Sequence, residues 1–154
     1  MRKYMQAAFE EAEKAFCAGE IPVGAVIVKD GEIISRAHNE TEALRDLTAH
    51  AEITAIRRAA RALGGWRLPG CSMFVTLEPC SMCAGAIVLA RIEKLYIGAP
   101  DPKSGACGSV FNIPQEKKLN HFTIIETGLM QEECSCLMKD FFKQLREKKS
   151  EEKR

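Results

Sequence analysis

Val75-Thr76-Leu77-Glu78-Pro79-Cys80-Ser81-Met82-Cys83, read with His50-Ala51-Glu52 earlier in the chain, decides how this sequence folds. The run Met73 to Leu77 is short, apolar and rich in strand formers, and Pro79 suits the opening of a helix because its fixed φ and missing N–H cost nothing there. Two cysteines three apart on that helix share one face, so both sulfurs can reach one ion. His50 adds an imidazole. Zinc favours imidazole and thiolate, and a hydrolytic zinc site keeps three protein ligands and leaves a fourth position to water. His50, Cys80 and Cys83 are the candidate ligands. Glu52 remains free to move protons, as water activated by a metal requires.

Outward from this stretch, helix and strand signals alternate. Met5, Ala8, Phe9, Ala12, Ala15 and Phe16 recur at helical spacing, and Gly19 stops that helix. Val23 to Val28 reads as a buried strand, Asp30-Gly31 as a tight hairpin turn, and Ile33-Ile34 as the returning strand. A polar loop is predicted from His38 to Leu47. Thr48 is the expected N-cap of a helix over 49–63 that places His50 and Glu52 in its first turn, with Gly64-Gly65 ending it. A helix is expected over 80–91, strands over 95–98 and 122–126, and a closing helix over 131–148. The Gly-, Pro-, Ser- and Lys-rich stretch from Ala99 to Asn120 predicts a functional loop or a covered crossover. This order implies an α/β fold, a mixed sheet with helices on both faces. The expected organisation is a single domain over 1–148 with a charged tail over 149–154.

Composition narrows the classes. The chain has 154 residues, a net charge of +1 and no apolar run approaching a bilayer span. Its start does not read as a signal peptide, so a cytoplasmic location is expected. The charge alone does not suggest a nucleic-acid binder. With an odd seven cysteines, a disulfide framework is not expected. Cys17, Cys71 and Cys107 read as small buried or semi-buried side chains. Cys134 and Cys136 read as core-facing and semi-exposed cysteines on the last helix. His38 and His121, candidates with Cys107, Cys134 and Cys136 for the fourth ligand of a closed zinc site, read equally well as ordinary polar contacts.

The spacing H-x-E followed by P-C-x-x-C is the signature of zinc-dependent nucleobase deaminases. Within that group the chain resembles the bacterial-type tRNA-specific adenosine deaminases, which convert adenosine to inosine at the anticodon wobble position. The resemblance runs through Pro22 to Val26, Ala49 to Glu52, Val75 to Ala86, Gly98 to Ser109, Asn120-His121, and Glu133-Cys134 through Asp140-Phe141-Phe142. It implies a three-layer α-β-α cytidine-deaminase-like fold with a five-stranded mixed sheet, a homodimer, Zn2+ on His50, Cys80 and Cys83, and a tRNA anticodon stem-loop as partner. Glu52 is then the proton shuttle for hydrolysis at C6 of adenine. Asn39, Asp101, Lys103, Ser104 and Phe142 are the implied substrate contacts, with one of Phe141 and Phe142 in the core.

Two rivals stand beside this reading. One is a deaminase of the same fold acting on free guanine, cytosine or a nucleoside, which the modest net charge suits. The other is a non-catalytic zinc-stabilised binding module, which requires four protein ligands and no role for Glu52.

Overall fold

Alternation along three strands sets the architecture. In β1 (Gly24–Lys29), Ala25 and Ile27 face one side of the sheet while Val26 and Val28 face the other. In β3 (Cys71–Leu77), Met73 and Val75 oppose Phe74, and in β4 (Lys94–Ala99), Leu95 and Ile97 oppose Tyr96. Successive strand residues point to opposite faces, so strands apolar on both faces require cover on both. The computed structural model describes residues 1–154 and supplies that cover. On one face lie α3 (Ala51–Leu63) and α4 (Ser81–Ala90), and on the other α1 (Arg2–Cys17) and α5 (Gln131–Glu152). A single turn, α2 (Thr41–Leu44), follows β2 (Glu32–His38), and β5 (Ile124–Thr127) closes the far edge.

The five strands pair in the order β2-β1-β3-β4-β5. β1 runs antiparallel to β2 and β3, whereas β3, β4 and β5 are mutually parallel. The three-layer α/β fold with a five-stranded mixed sheet is thus as expected. The β1–β2 hairpin turns at Asp30 and Gly31, both with positive φ, 51° and 78°, the conformation a two-residue hairpin prefers. The stretch between β4 and β5 is a covered crossover. Its Ala106, Cys107 and Ile113 pack into the core beneath α3 and α4, and His121 and Thr123 both bond the carbonyl of Ile92.

Several boundaries differ from the sequence expectations. Thr48 is not the N-cap of α3: its N–H and hydroxyl are both bound to Asp46 Oδ1, at 2.8 and 2.7 Å, so the chain turns there and the helix begins later, with His50 as N-cap. Cys80 likewise caps α4 and does not lie within it, its backbone still extended after Pro79. β5 starts at Ile124, leaving Phe122 half exposed. Helix α5 continues through the expected charged tail to Glu152, because Glu, Lys, Arg and Gln are all good helix formers. Cys17 is exposed, whereas Cys71, Cys107 and Cys134 are buried and Cys136 is exposed, and all seven cysteines are free thiols. No helix is long and apolar enough to cross a membrane.

Two glycines mark where helices meet the sheet. A Cβ on Gly24 would overlap the carbonyl oxygen of Ala8 and the amide nitrogen of Ala12 on α1, and one on Gly98 would press on Cys134 of α5. Between these contacts Phe74 stacks on Tyr96 with centroids 4.3 Å apart. Gly24→Ala is therefore expected to destabilise the fold by at least the ~1–3 kcal/mol typical of an overpacked core, read as a fall in urea midpoint at unchanged slope.

Candidate active site

The site forms where β3 hands over to α4, beside the start of α3. His50 and Cys80 both sit at helix N-caps in extended backbone conformation, and Cys83 follows within the first turn of α4. His50 Nδ1 lies 3.6 Å from Cys80 Sγ and 3.5 Å from Cys83 Sγ. One ligand atom from each of the three residues lies within 4.8 Å of the other two. Two thiols and an imidazole converging at that distance fit a three-protein-ligand zinc site with a position left open. The fold explains the convergence. α3 and α4 lie on the same face of the sheet with their N-termini at the same edge, and Ala51, Ala55 and Ala59 give α3 a small-residue stripe that lets it lie close to the strands.

The protons of this group are coupled. Without metal, the Cys83 S–H and His50 hydrogen-bond the Cys80 sulfur and lower its pKa to about 4. Cys83, as the donor and well buried, is pushed far above the usual thiol range. His50 is raised by its bond to Cys80. The start of α4 adds the positive end of a helix dipole, which favours thiolate. Glu52 is buried in the first turn of α3, and burial raises its pKa, the direction that lets a carboxyl carry a proton near neutrality.

A cavity of about 190 Å³ opens over these groups. It is smaller than the ~300–1,000 Å³ of drug-sized ligand sites, which suits a single ring system. Apolar walls come from Ile21, Val23 and Leu77. Of the residues expected to meet substrate, Asn39, Asp101 and Ser104 line the cavity with His50, Glu52 and Cys80. Asn39 is buried, its amide 3.4 Å from the Thr41 hydroxyl. Asp101 receives the N–H groups of Lys103 and Ser104 and, at 2.8 Å, the Ser104 hydroxyl. Lys103 is exposed on that turn, and Phe142 is part-exposed on α5, packed edge-on against the buried Phe141 (5.4 Å); neither lines the cavity.

Sequence reasoning missed three further parts of this region. Thr41 also lines the cavity, on the one-turn α2. Buried Glu20 accepts the N–H groups of Glu42 and Ala43, at 2.9 and 2.8 Å, and so fastens that turn. Glu78, between the strand and Pro79, is buried and binds the loop after β4. A charged residue in an apolar stretch was the available signal for Glu78. Glu20 follows the Gly19 stop and carries none.

An α/β fold with this donor cluster, and with Glu52 in the cavity beneath it, defines a deaminase. The MafB19-like deaminase family matches residues 1–146. A tRNA-specific adenosine deaminase of Bacillus subtilis is 51% identical over 95% of this chain and 91% of its own length. That of Aquifex aeolicus is 53% identical over 93% of this chain and 94% of its own. A solved structure of a tRNA:A34 deaminase superposes with a TM-score of 0.86 at 46% identity, covering 89% of this chain and 99% of that one. The chain belongs to the tRNA-specific adenosine deaminase family.

In metal-free protein, iodoacetamide should label Cys80 with a midpoint near the pKa of about 4, since only the thiolate reacts and its fraction rises as pH passes upward through that value. Cys83 should stay unlabelled through neutrality, and zinc should protect Cys80, both read by peptide mass spectrometry.

Proposed function

We propose that the protein hydrolyses adenosine to inosine at the wobble position of a tRNA anticodon, in the cytoplasm, with zinc on His50, Cys80 and Cys83. The observation that carries the reading is Glu52, buried beside a three-donor cluster in a cavity sized for one base. Zinc bound there supplies the acidification of water that hydrolysis at neutral pH needs. Glu52 takes the proton released as water oxygen bonds to C6 of adenine. It delivers that proton to the ring nitrogen, then takes the second proton from the C6 hydroxyl as that oxygen becomes the carbonyl and passes it to the departing amine, so that the C6–N bond breaks and ammonia leaves. The Asn39 amide and the Asp101 and Ser104 side chains, which line the same cavity, hold the flipped nucleoside.

Helix α5 supports a polynucleotide substrate. In sequence its charges interleave, but successive helical residues turn by about 100°, which sorts them. Lys139, Lys143, Arg146, Lys149 and Lys153 fall on one exposed side, with Phe142 at its margin. Asp140, Glu147 and Glu151 fall on a neighbouring side. A basic stripe suits phosphates, and Phe142 offers a ring for an unpaired base, a contact of about 1–3 kcal/mol. A deaminase of free bases has no use for that stripe. A closed zinc module needs a fourth protein ligand, and the cluster provides three.

A homodimer through α4 fits the same reading. This helix is apolar around its whole circumference, yet Leu89 is 67% exposed, and Val110 and Phe111 of the adjoining crossover are also exposed. A helix apolar all round is normally covered on both sides. Leu89→Glu should lower the mass measured by light scattering from that of a dimer to that of a monomer, and an unchanged mass would move the interface elsewhere.

The functional test compares an anticodon stem-loop carrying wobble adenosine with free adenosine, cytidine and guanine. Inosine in the stem-loop with the free compounds untouched is expected, whereas turnover of a free compound would transfer the protein to the rival. Glu52→Gln should lower kcat by at least the ~10²–10⁴ of general acid–base catalysis while zinc content by mass spectrometry stays at the wild-type value.

A further inference from the structure

We infer that Glu78 is the positioning residue of the substrate-facing loop over 100–109: its buried carboxylate clasps the loop at both ends and so sets where Asp101 and Ser104 stand in the cavity. This inference rests on the proposed function for the meaning of "substrate", but not for the clasp itself. Glu78 Oε1 accepts the Asp101 N–H at 3.1 Å and the Ser109 hydroxyl at 2.5 Å. Oε2 accepts the N–H groups of Cys107 at 3.0 Å and Ser109 at 3.1 Å. Those four donors saturate a carboxylate, which has about four acceptor sites and no donor of its own.

The loop is built to receive it. Gly105, midway along, lies so close that a Cβ there would overlap the Glu78 carboxylate. The neighbouring backbone joins in, with Glu78 N–H to the Ala99 carbonyl and Ala106 N–H to the Pro79 carbonyl, at 2.9 and 2.8 Å. Glu78 thus contacts the start, middle and end of the loop. No protein cation pairs with it. A salt bridge would hold one point, whereas donors spread along the backbone fix a shape. The side chain itself also lines the cavity, directly before the metal-binding cysteines. Any motion of the loop is therefore felt where the base and ribose would lie.

Glu78→Gln tests this, because an amide nitrogen replaces an acceptor where N–H and O–H groups point. In the zinc-loaded variant the carboxamide keeps one acceptor oxygen, so the amide protons facing its nitrogen, either Asp101 or the pair Cys107 and Ser109, should exchange with solvent at least about ten-fold faster. KM for the stem-loop should rise about ten-fold with kcat within about three-fold, the mark of lost positioning and not lost chemistry. Zinc content should not change. Unchanged exchange at those three amides would overturn the inference, and so would a collapse of kcat at unchanged KM, which would place Glu78 in the reaction itself. Should Glu78→Gln fail to fold, Ser109→Ala removes one donor and keeps the carboxylate. It should speed exchange at Asp101 and raise KM in the same direction by a smaller factor, and wild-type values for both would overturn the inference. If the wild-type protein leaves the stem-loop unmodified, the proposed function fails, and the exchange rates still decide whether the clasp exists.

Discussion

Everything at the site depends on two helix N-termini meeting at one edge of one sheet face. Three donor atoms must come from His50 and from Cys80 and Cys83, far apart in the chain, to within 4.8 Å. The pairing of β1 between β2 and β3, with α3 and α4 on the same side of the sheet, achieves that here. The small side chains along α3 follow from it, since bulk at Ala51, Ala55 or Ala59 would push His50 and Glu52 away from the cysteines. The Ser35 hydroxyl bonded to the Ala55 carbonyl at 2.8 Å seats α3 directly on β2. On the opposite face α1 and α5 lie close against Gly24 and Gly98 and an aromatic group of Tyr4, Phe74 and Tyr96.

The polar interior around this meeting point is carried by carboxylates whose partners are mostly backbone. Glu20 and Glu78 are buried, and each accepts main-chain N–H groups, Glu20 from the one-turn α2 and Glu78 from the loop after β4. Buried charge is costly unless hydrogen bonds replace water, and here the loops provide the replacement. Each carboxylate and the segment it holds stabilise one another, and both segments contribute residues to the cavity wall. Glu52 stands apart from this pattern, and its burial without a dedicated set of loop donors is what raises its pKa.

Much of this was legible in the residues. Short apolar runs bounded by turn signals located the central strands, Asp30-Gly31 located the hairpin, and the H-x-E and C-x-x-C spacings brought out the three-donor set and the nearby carboxylate. Most of what escaped was decided by contacts between distant segments, and Thr48 is the local exception. Thr48 looked like an N-cap but serves Asp46 in a turn. α2 is one turn held by Glu20, and nothing in Thr41 to Leu44 announces it. The charges after Phe142 looked mixed because a linear reading cannot sort residues by helical angle. Glu78 passed unnoticed because its role lies in donors more than twenty positions away.

The clasp on the loop after β4 has a consequence for how this fold changes over time. Of the four bonds to Glu78, three come from main-chain amides, and only Ser109 contributes a side chain. Main-chain donors persist through nearly any substitution, so Lys103 and Ser104 can be exchanged without dissolving the loop's shape. Gly105 is the exception, since the carboxylate occupies the place of its side chain. The part of the cavity wall that this loop supplies is thereby free to vary while the groups on α3 and α4 stay fixed. Selection can then retune what the cavity admits without reopening the question of how the chemistry is done.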